Sequence, residues 1–215
     1  MQDIVNERVV SFINSMDKGN SPLCNTIEQE ARRDFVPIIR KEMGALLKVL
    51  LAMKKPKRIL EIGTAVGYSS ILMSENIPEG TTITTIENYD KRIPVARENI
   101  RRAGKENVIN LIEGDALYVL KTLNAPYDFI FMDAAKGQYI HFLPDILRLL
   151  PSGGILVSDN VLQDGDIFES RYGIRRRNHT IHNRMREYLY VLTHNDELDT
   201  VILETGDGMT ISVRK

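Results

Sequence analysis

The sequence is poor in cysteine, in net charge and in long apolar runs. Its 215 residues include one cysteine, Cys24, so no disulfide can form within the chain, and a cytoplasmic protein is expected. The formal net charge is -1, so any affinity for nucleic acid must come from a local patch. No segment approaches the roughly 20 apolar residues of a membrane-spanning helix, and Met1 to Val5 lack a signal-peptide pattern. A disulfide scaffold, a membrane protein and a strongly basic polyelectrolyte are therefore disfavoured.

The first 55 residues have the spacing of helices. Ile4, Val5, Val9, Phe12 and Ile13 recur at helical intervals, and the segment 18–22 breaks that helix. A second helix is expected over about residues 25–35. A third should follow Pro37, because proline suits the first turn of a helix. We therefore expect an N-terminal helical extension over residues 1–55.

From Arg58 onward, short apolar strands alternate with amphipathic helices. The predicted strands are 58–62, 82–86, 108–112, 129–132, 155–158, 201–203 and 209–213, and the predicted helices between them are 69–76, 91–102, 139–150 and 179–194. This alternation is typical of an α/β fold with a mostly parallel sheet covered on both faces. The last two strands are joined by residues 205–208, a hairpin length, so the final strand should be antiparallel. We expect one domain over residues 1–215, with its α/β core over residues 56–215.

A glycine-containing turn follows the first predicted strand. Gly63 and Gly67 allow positive backbone torsions and close approach of a ligand, and the helix that begins near Ser69 offers free N–H groups to an anion. The next strand ends at Glu87, where an acidic residue can bind both hydroxyls of a ribose. The pattern favours a nucleoside-containing ligand. The alternative is a tight turn followed by a surface glutamate.

Glu61 indicates which nucleoside the turn binds. Dinucleotide sites usually show G-x-G-x-x-G, whereas a glutamate at the first position would repel a pyrophosphate and accept hydrogen bonds from an amino group. An amino acid fused to a ribose, S-adenosylmethionine, fits this chemistry, with Ser69 as a donor to its carboxylate. Asp115, which precedes Ala116, offers a carboxylate to the adenine amino group. Asp115 could equally cap the helix that starts at Ala116.

Two predicted strands end on hard oxygen ligands. Asp133 follows the strand 129–132, and Asp159 and Asn160 end the strand 155–158. Parallel strands end on a common edge, so these side chains can converge on one divalent ion, which we expect to be Mg²⁺ or Mn²⁺ rather than zinc. A lone aspartate at a strand end is more often a cap. The combination of two strand ends with a nearby lysine favours the metal.

Lys136 lies three residues after Asp133. An ammonium is disfavoured beside a divalent cation, so this lysine is a candidate general base for a substrate hydroxyl. The alternative is a solvated surface lysine.

Taken together and in this order, the motifs resemble those of class I S-adenosylmethionine-dependent O-methyltransferases, in particular the metal-dependent group with catechol and caffeoyl-CoA O-methyltransferases. The resemblance covers residues 37–215 and implies a Rossmann-like fold with a seven-stranded sheet. It implies that Lys136 is catalytic and that the enzyme is a homodimer, because relatives are often dimeric. The cofactor contacts that it implies are Ile39, Glu61, Gly63, Ser69, Glu87, Asp115, Ala116 and Asp133.

A basic segment follows the second metal-ligand motif. Arg171 and the run Arg175, Arg176 and Arg177 form a local asymmetry that suits a phosphate backbone, and we expect them beside the mouth of the active site. The alternative is a solvated loop and helix face. A non-catalytic RNA-binding module would explain these arginines but would leave the aspartates and the lysine unexplained. An NAD-dependent oxidoreductase would share the fold, but the turn after Glu61 disfavours it.

With this segment and the Gly206-Asp207-Gly208 hairpin, the chain looks most similar to bacterial tRNA 5-hydroxyuridine methyltransferases. That resemblance implies methylation of the wobble 5-hydroxyuridine in a tRNA anticodon loop to 5-methoxyuridine. A small catechol-like phenol is the alternative substrate, because it offers the metal the same pair of neighbouring ring oxygens.

Overall fold

The structure is a computed structural model that describes residues 7–215. Its central element is a β-sheet. The strands are β1 (Arg58–Ile62), β2 (Thr82–Glu87), β3 (Ile109–Glu113), β4 (Phe129–Met132), β5 (Ile155–Asp159), β6 (Leu198–Leu203) and β7 (Met209–Arg214). They form one seven-stranded sheet in the order β3-β2-β1-β4-β5-β7-β6. The strands β1 to β5 pair in parallel, and β7 runs antiparallel to both β5 and β6. The predicted α/β fold with an antiparallel last strand is confirmed.

The helices among the described residues are α1 (Glu7–Ser15), α2 (Pro22–Arg33), α3 (Lys41–Lys54), α4 (Tyr68–Ser74), α5 (Ile93–Arg102), α6 (Ala116–Thr122), α7 (Tyr139–Leu149) and α8 (His179–Thr193). Two of them begin three or more residues away from the predicted start. Helix α2 starts at Pro22, because the Ser21 side chain caps it by accepting a hydrogen bond from the Cys24 N–H at 3.1 Å. The expected first-turn role of Pro37 is wrong, since Pro37 lies outside any helix and α3 begins only at Lys41, after Arg40.

The N-terminal helices share a hydrophobic core with the sheet. Ile27 of α2 and Leu47 and Leu51 of α3 are fully buried in the same cluster as Ile59 of β1. Complete burial of one such side chain stabilises the fold by about 2 kcal/mol. A second cluster fills the other face, under α6, α7 and α8. Ile4 and Val5, which the sequence placed in the first helix, lie outside the described residues.

None of the helices within residues 7–215 has the length and hydropathy that a membrane-spanning segment requires.

The turn after β1 closes tightly on the end of β4. The Asp133 N–H donates to the Ile62 carbonyl oxygen at 2.9 Å, and Gly63 has a φ of 101°. A Cβ atom at Gly63 would collide with the backbone carbonyl of Asp133. Gly63 is therefore required both by its backbone torsion and by the neighbouring strand end.

We expect Gly63→Ala to destabilise the protein by at least about 3 kcal/mol, because it combines backbone strain with a steric collision. The matched control is Gly80→Ala. Gly80 also has a positive φ, of 84°, but no atom lies within 4 Å of an added Cβ, so about 1 kcal/mol is expected. Urea unfolding would measure both changes. Equal losses would show that the approach of Asp133 does not constrain position 63.

Candidate active site

The carboxyl ends of the central strands form the floor of a cavity of about 730 Å³. The predicted site residues that line this cavity are Ile39, Gly63, Glu87, Asp115, Ala116, Asp133, Lys136, Asp159 and Asn160. Glu61 and Ser69 lie outside the cavity wall. The structure therefore brings most of the predicted cofactor and metal residues together at one edge of the sheet, as expected from the parallel strands.

Glu87 is held rigidly at the end of β2. Its Oε2 accepts a hydrogen bond from the Ala65 N–H at 2.7 Å, and its Oε1 accepts from the N–H groups of Asn88 at 3.0 Å and Tyr89 at 2.9 Å. The side chain is buried and still borders the cavity. A carboxylate has about four lone-pair sites, and these hydrogen bonds use three of them, so at least one remains for a ribose hydroxyl. This arrangement suits the recognition of a ribose.

Glu61 is fully buried beneath the glycine turn. Its Oε2 accepts hydrogen bonds from the hydroxyls of Ser70 and Thr85, whereas its Oε1 has no hydrogen-bond partner among the described residues. Burial raises the pKa of Glu61 to about 7, although hydrogen bonds from nearby hydroxyls oppose that rise. The unpaired oxygen is an acceptor that a cofactor amino group could satisfy. Direct contact of Glu61 and Ser69 with the cofactor stays a prediction.

Asp115 takes one of its two expected roles and remains available for the other. Its Oδ1 accepts a hydrogen bond from the Leu117 N–H at 2.9 Å, so it caps α6, which begins at Ala116. Asp115 also borders the cavity. Its contact with an adenine amino group is compatible with the cap and stays a prediction.

Asp133, Asp159 and Asn160 converge at the ends of β4 and β5. The Asn160 Nδ2 donates a hydrogen bond to Asp133 Oδ1 at 2.8 Å, and the Asn160 backbone N–H donates to Asp159 Oδ1 at 2.8 Å. Asn160 has a φ of 60°, a left-handed conformation that asparagine tolerates better than most residues. Two carboxylates and an amide thus occupy one buried corner of the cavity.

The electrostatics of this corner fit a cation. Burial raises the pKa of Asp133, and burial together with the charge of Asp133 raises the pKa of Asp159. A divalent cation bound by oxygen ligands would offset both the burial and the repulsion. Among the side chains that the structure describes, no group of three or more histidine, cysteine, aspartate and glutamate residues is placed to hold a metal. The fit therefore rests on two carboxylates and one amide oxygen.

Lys136 begins a short 3₁₀ turn, Lys136–Gln138, and borders the same cavity. Its Nζ lies 2.7 Å from the Oδ2 of Asp207, a buried carboxylate between β6 and β7. The hairpin that contains Asp207 was predicted from the sequence, but the place of Asp207 in the site was not. Arg40 and Arg92, which line the cavity, were not predicted either. The sequence does carry one signal for Asp207. It is an acidic residue between two glycines, Gly206 and Gly208, in a hairpin that leads back to the sheet.

The predicted RNA-binding arginines do not line the cavity. Arg171, Arg175, Arg176 and Arg177 are all exposed. Arg171 Nε donates a hydrogen bond to His179 Nδ1 at 3.3 Å. In the described part of the chain, none of Arg175, Arg176 and Arg177 forms an ion pair with a carboxylate.

Helix α8 connects the arginine segment to the active-site edge. A 3₁₀ turn over Arg176–Asn178 leads directly into α8. Farther along that helix, Arg184 Nη1 donates to the Gly137 carbonyl oxygen at 3.1 Å, in the turn that carries Lys136. The segment is therefore joined to the site through α8 and forms no part of the cavity wall.

Comparison with known proteins identifies the family. A sequence profile described as O-methyltransferase matches residues 21–215. The chain belongs to this O-methyltransferase family. It is 31% identical to catechol O-methyltransferase of Niastella koreensis over 192 residues, which are 82% of each chain.

Solved structures agree with the family assignment. A candidate caffeoyl-CoA O-methyltransferase from Staphylococcus aureus has a TM-score of 0.89 and 31% identity, with 98% of this chain and 100% of that chain covered. SAH-bound PaMTH1 from Podospora anserina has a TM-score of 0.87 and 27% identity, with 97% and 94% covered. The predictions of a Rossmann-like methyltransferase fold and of an S-adenosylmethionine-dependent O-methyltransferase are confirmed at the level of the family. The closer likeness to tRNA 5-hydroxyuridine methyltransferases stays a prediction.

We expect Glu61→Gln to change how stability depends on pH. The folded-state pKa of Glu61, about 7, exceeds its ordinary value of 4.5, so the folded protein binds the extra proton between these values. This group therefore makes the free energy of unfolding fall as pH rises from about 5 to 7, by up to about 3 kcal/mol. Glutamine removes that contribution.

Urea unfolding of both proteins at pH 5, 6 and 7 tests this expectation. Asp133 and Asp159 contribute slopes of the same sign to both proteins, so the difference between the curves isolates Glu61. Parallel curves would mean that Glu61 titrates normally in the folded protein.

Proposed function

We propose that this chain transfers the methyl group of S-adenosylmethionine to a ring hydroxyl that has a second oxygen beside it, with a divalent cation as cofactor. The observation that carries the proposal is the convergence of Asp133, Asp159 and Asn160 with Lys136 in a single cavity. The rigid carboxylate of Glu87 in the same cavity supports a ribose-containing cofactor. The SAH-bound state of PaMTH1 supports S-adenosylmethionine in particular.

When bound, S-adenosylmethionine supplies the methyl group as a sulfonium. Glu87 would bind the ribose hydroxyls, and Asp115 and Ala116 would border the adenine. Ile39, Gly63 and Asp133 would border the amino-acid part of the cofactor, whose amino group would donate to Glu61 and whose carboxylate would accept from Ser69. These residues orient the methyl group, because an in-line displacement requires the acceptor oxygen opposite the departing sulfur.

Asp133, Asp159 and Asn160 would hold Mg²⁺ or Mn²⁺. The cation supplies positive charge that favours ionisation of a neighbouring hydroxyl, and it can orient two adjacent ring oxygens. The chemistry of the donor set agrees with this role, since both carboxylates lie in a buried corner that raises their pKa values.

Lys136 would take the proton of the acceptor hydroxyl. Its Nζ reaches the cavity beside the proposed metal ligands, and 27% of its side chain is exposed. A lysine in this position can accept the proton from the substrate and then release it to water. General-base catalysis of this kind contributes about 10²- to 10⁴-fold to a rate.

The finer proposal is that the acceptor is the wobble 5-hydroxyuridine of tRNA. The C5 hydroxyl and C4 carbonyl of this base are neighbouring oxygens, and an unpaired anticodon base can turn into a pocket at low energetic cost. Three exposed arginines without ion-pair partners in the described part of the chain, Arg175 to Arg177, support a phosphate-rich substrate. They lie in a segment that α8 joins to the site.

A catechol-like phenol is the second candidate substrate. The observation that favours it is the name of the relative from Niastella koreensis, catechol O-methyltransferase. Such a phenol presents the same pair of oxygens and has no phosphate for the arginines to bind. The two candidates therefore differ in their need for the arginine segment.

We expect Lys136→Ala to lower kcat by about 10²- to 10⁴-fold while the Kd for S-adenosylmethionine changes by less than about threefold. The reason is that Lys136 is assigned to the acceptor, whereas Glu87 is assigned to the ribose. Labelled-methyl transfer and calorimetric titration measure these two quantities. Lys121→Ala, an exposed lysine in the last turn of α6, is the control and should retain activity. Normal turnover by Lys136→Ala would remove its catalytic role.

We expect simultaneous replacement of Arg175, Arg176 and Arg177 by alanine to reduce methylation of tRNA lacking 5-methoxyuridine by about 100-fold or more, because phosphate contacts dominate RNA affinity. Activity toward a catechol panel should change by less than about twofold. A variant with three other exposed cations replaced, Lys18, Lys57 and Lys121, controls for net charge. Equal losses with both substrates would show that the arginine run is structural.

A further inference from the structure

The hairpin between β6 and β7 is docked directly against the proposed metal site. The Val161 N–H donates to the Gly208 carbonyl oxygen at 2.9 Å, and the Leu162 N–H donates to the Asp207 carbonyl oxygen at 2.9 Å. Gly208 has a φ of 76°, and a Cβ atom there would collide with the Leu162 side chain. The backbone of the hairpin is thus fixed to the two residues that follow Asn160.

This docking places the Asp207 carboxylate in the active-site wall. Asp207 is 6% exposed and borders the same cavity as Lys136. Its Oδ2 lies 2.7 Å from Lys136 Nζ, although 71 positions separate the two residues in the chain. Elsewhere the chain has ion pairs between exposed helical neighbours, such as Arg101 with Glu98, and these contribute little. The pair of Lys136 and Asp207 instead joins two distant segments inside a cavity.

We propose that Asp207 is a positioning residue for Lys136. Its carboxylate holds Lys136 Nζ at the acceptor side of the cavity and stabilises the ammonium that forms when the lysine takes a proton. The inference rests on the proposed role of Lys136 as the base. Asp207 itself touches neither the acceptor nor the cofactor in this assignment.

The proposed reaction moves one proton and one methyl group. The acceptor O–H bond breaks and its proton passes to the lone pair of Lys136 Nζ, which becomes an ammonium paired with Asp207. The acceptor oxygen then forms a bond to the methyl carbon as the carbon–sulfur bond breaks, and that electron pair stays on sulfur as a neutral thioether. Lys136, part of which is exposed, returns the proton to water.

Backbone contacts also hold the hairpin in position. The hydrogen bonds that dock it use backbone carbonyl oxygens of Asp207 and Gly208, and β7 pairs with β5 along five residues. Asp207→Asn keeps the size of the side chain and removes its charge. We therefore expect this variant to fold with a Tm close to that of the wild type.

A double-mutant cycle of Asp207→Asn and Lys136→Met tests the proposal. Labelled-methyl transfer is measured with tRNA lacking 5-methoxyuridine and with a catechol panel, and the acceptor that the wild type methylates is used throughout. Asp207→Asn should lower kcat about 10- to 100-fold, with the Kd for S-adenosylmethionine and the affinity for Mn²⁺ unchanged. In the Lys136→Met background it should cause no further loss, because residues that act as one unit are not additive.

Glu204→Gln, an exposed carboxylate in the segment that leads into the same hairpin, is the matched control and should retain the wild-type kcat. Additive losses, an unchanged kcat for Asp207→Asn, or weaker Mn²⁺ binding in that variant would overturn the positioning role. Full turnover by Lys136→Met would instead refute the proposed base, so the two failures can be distinguished.

Discussion

Two carboxylates that must share one buried corner are the constraint around which the rest of the site is built. Strands β4 and β5 pair in parallel with Met132 opposite Ser158, so the next residues, Asp133 and Asp159, are forced to be neighbours. Like charges in a buried place raise each other's pKa and destabilise the ionised state. Asn160 and Lys136 moderate that repulsion, and a bound divalent cation would remove most of it. The corner that holds the carboxylates of Asp133 and Asp159 is thus the part of the fold best suited to hold a metal.

The sheet supplies the geometry that the site needs. The turns after β1 and β5 use left-handed backbone conformations, at Gly63 and Asn160, to direct polar groups toward one edge. Because β7 runs antiparallel to β5, the start of β7 lies beside the carboxyl end of β5. The hairpin before β7 therefore lies at the same edge of the sheet as the site. An acid from the last part of the chain, Asp207, therefore meets Lys136, which follows β4. Rigid strands position these groups more accurately than a mobile loop could.

Many of the strands and helices could be predicted from local sequence signals, but some of their boundaries could not. Strands β1 and β4 were predicted to the residue, because each is a compact apolar run with a clear polar stop. The start of β6 was placed three residues late, since Asp199 and Thr200 lie in an edge strand and break the apolar pattern. Pro37 was misassigned because proline suits both a first helical turn and an extended segment, and only tertiary packing selects between them.

Residues whose roles depend on distant contacts were the hardest to predict. Asp133, Asp159 and Asn160 could be grouped because parallel strands end on a common edge. The contact of Asp207 with Lys136 depends on how the hairpin docks against Val161 and Leu162, which no local pattern reveals. The cavity position of Arg92 is equally invisible in the sequence, since its position depends on how α5 packs.

The most direct test of the account is a crystal structure of the protein soaked with Mn²⁺, with anomalous scattering used to locate the ion. We expect a single strong peak at the carboxyl ends of β4 and β5, with oxygens of Asp133, Asp159 and Asn160 at roughly 2.1 Å, and its loss in an Asp159→Ala crystal. A peak elsewhere, or no peak in a crystal whose enzyme transfers methyl groups after complete chelation, would contradict it.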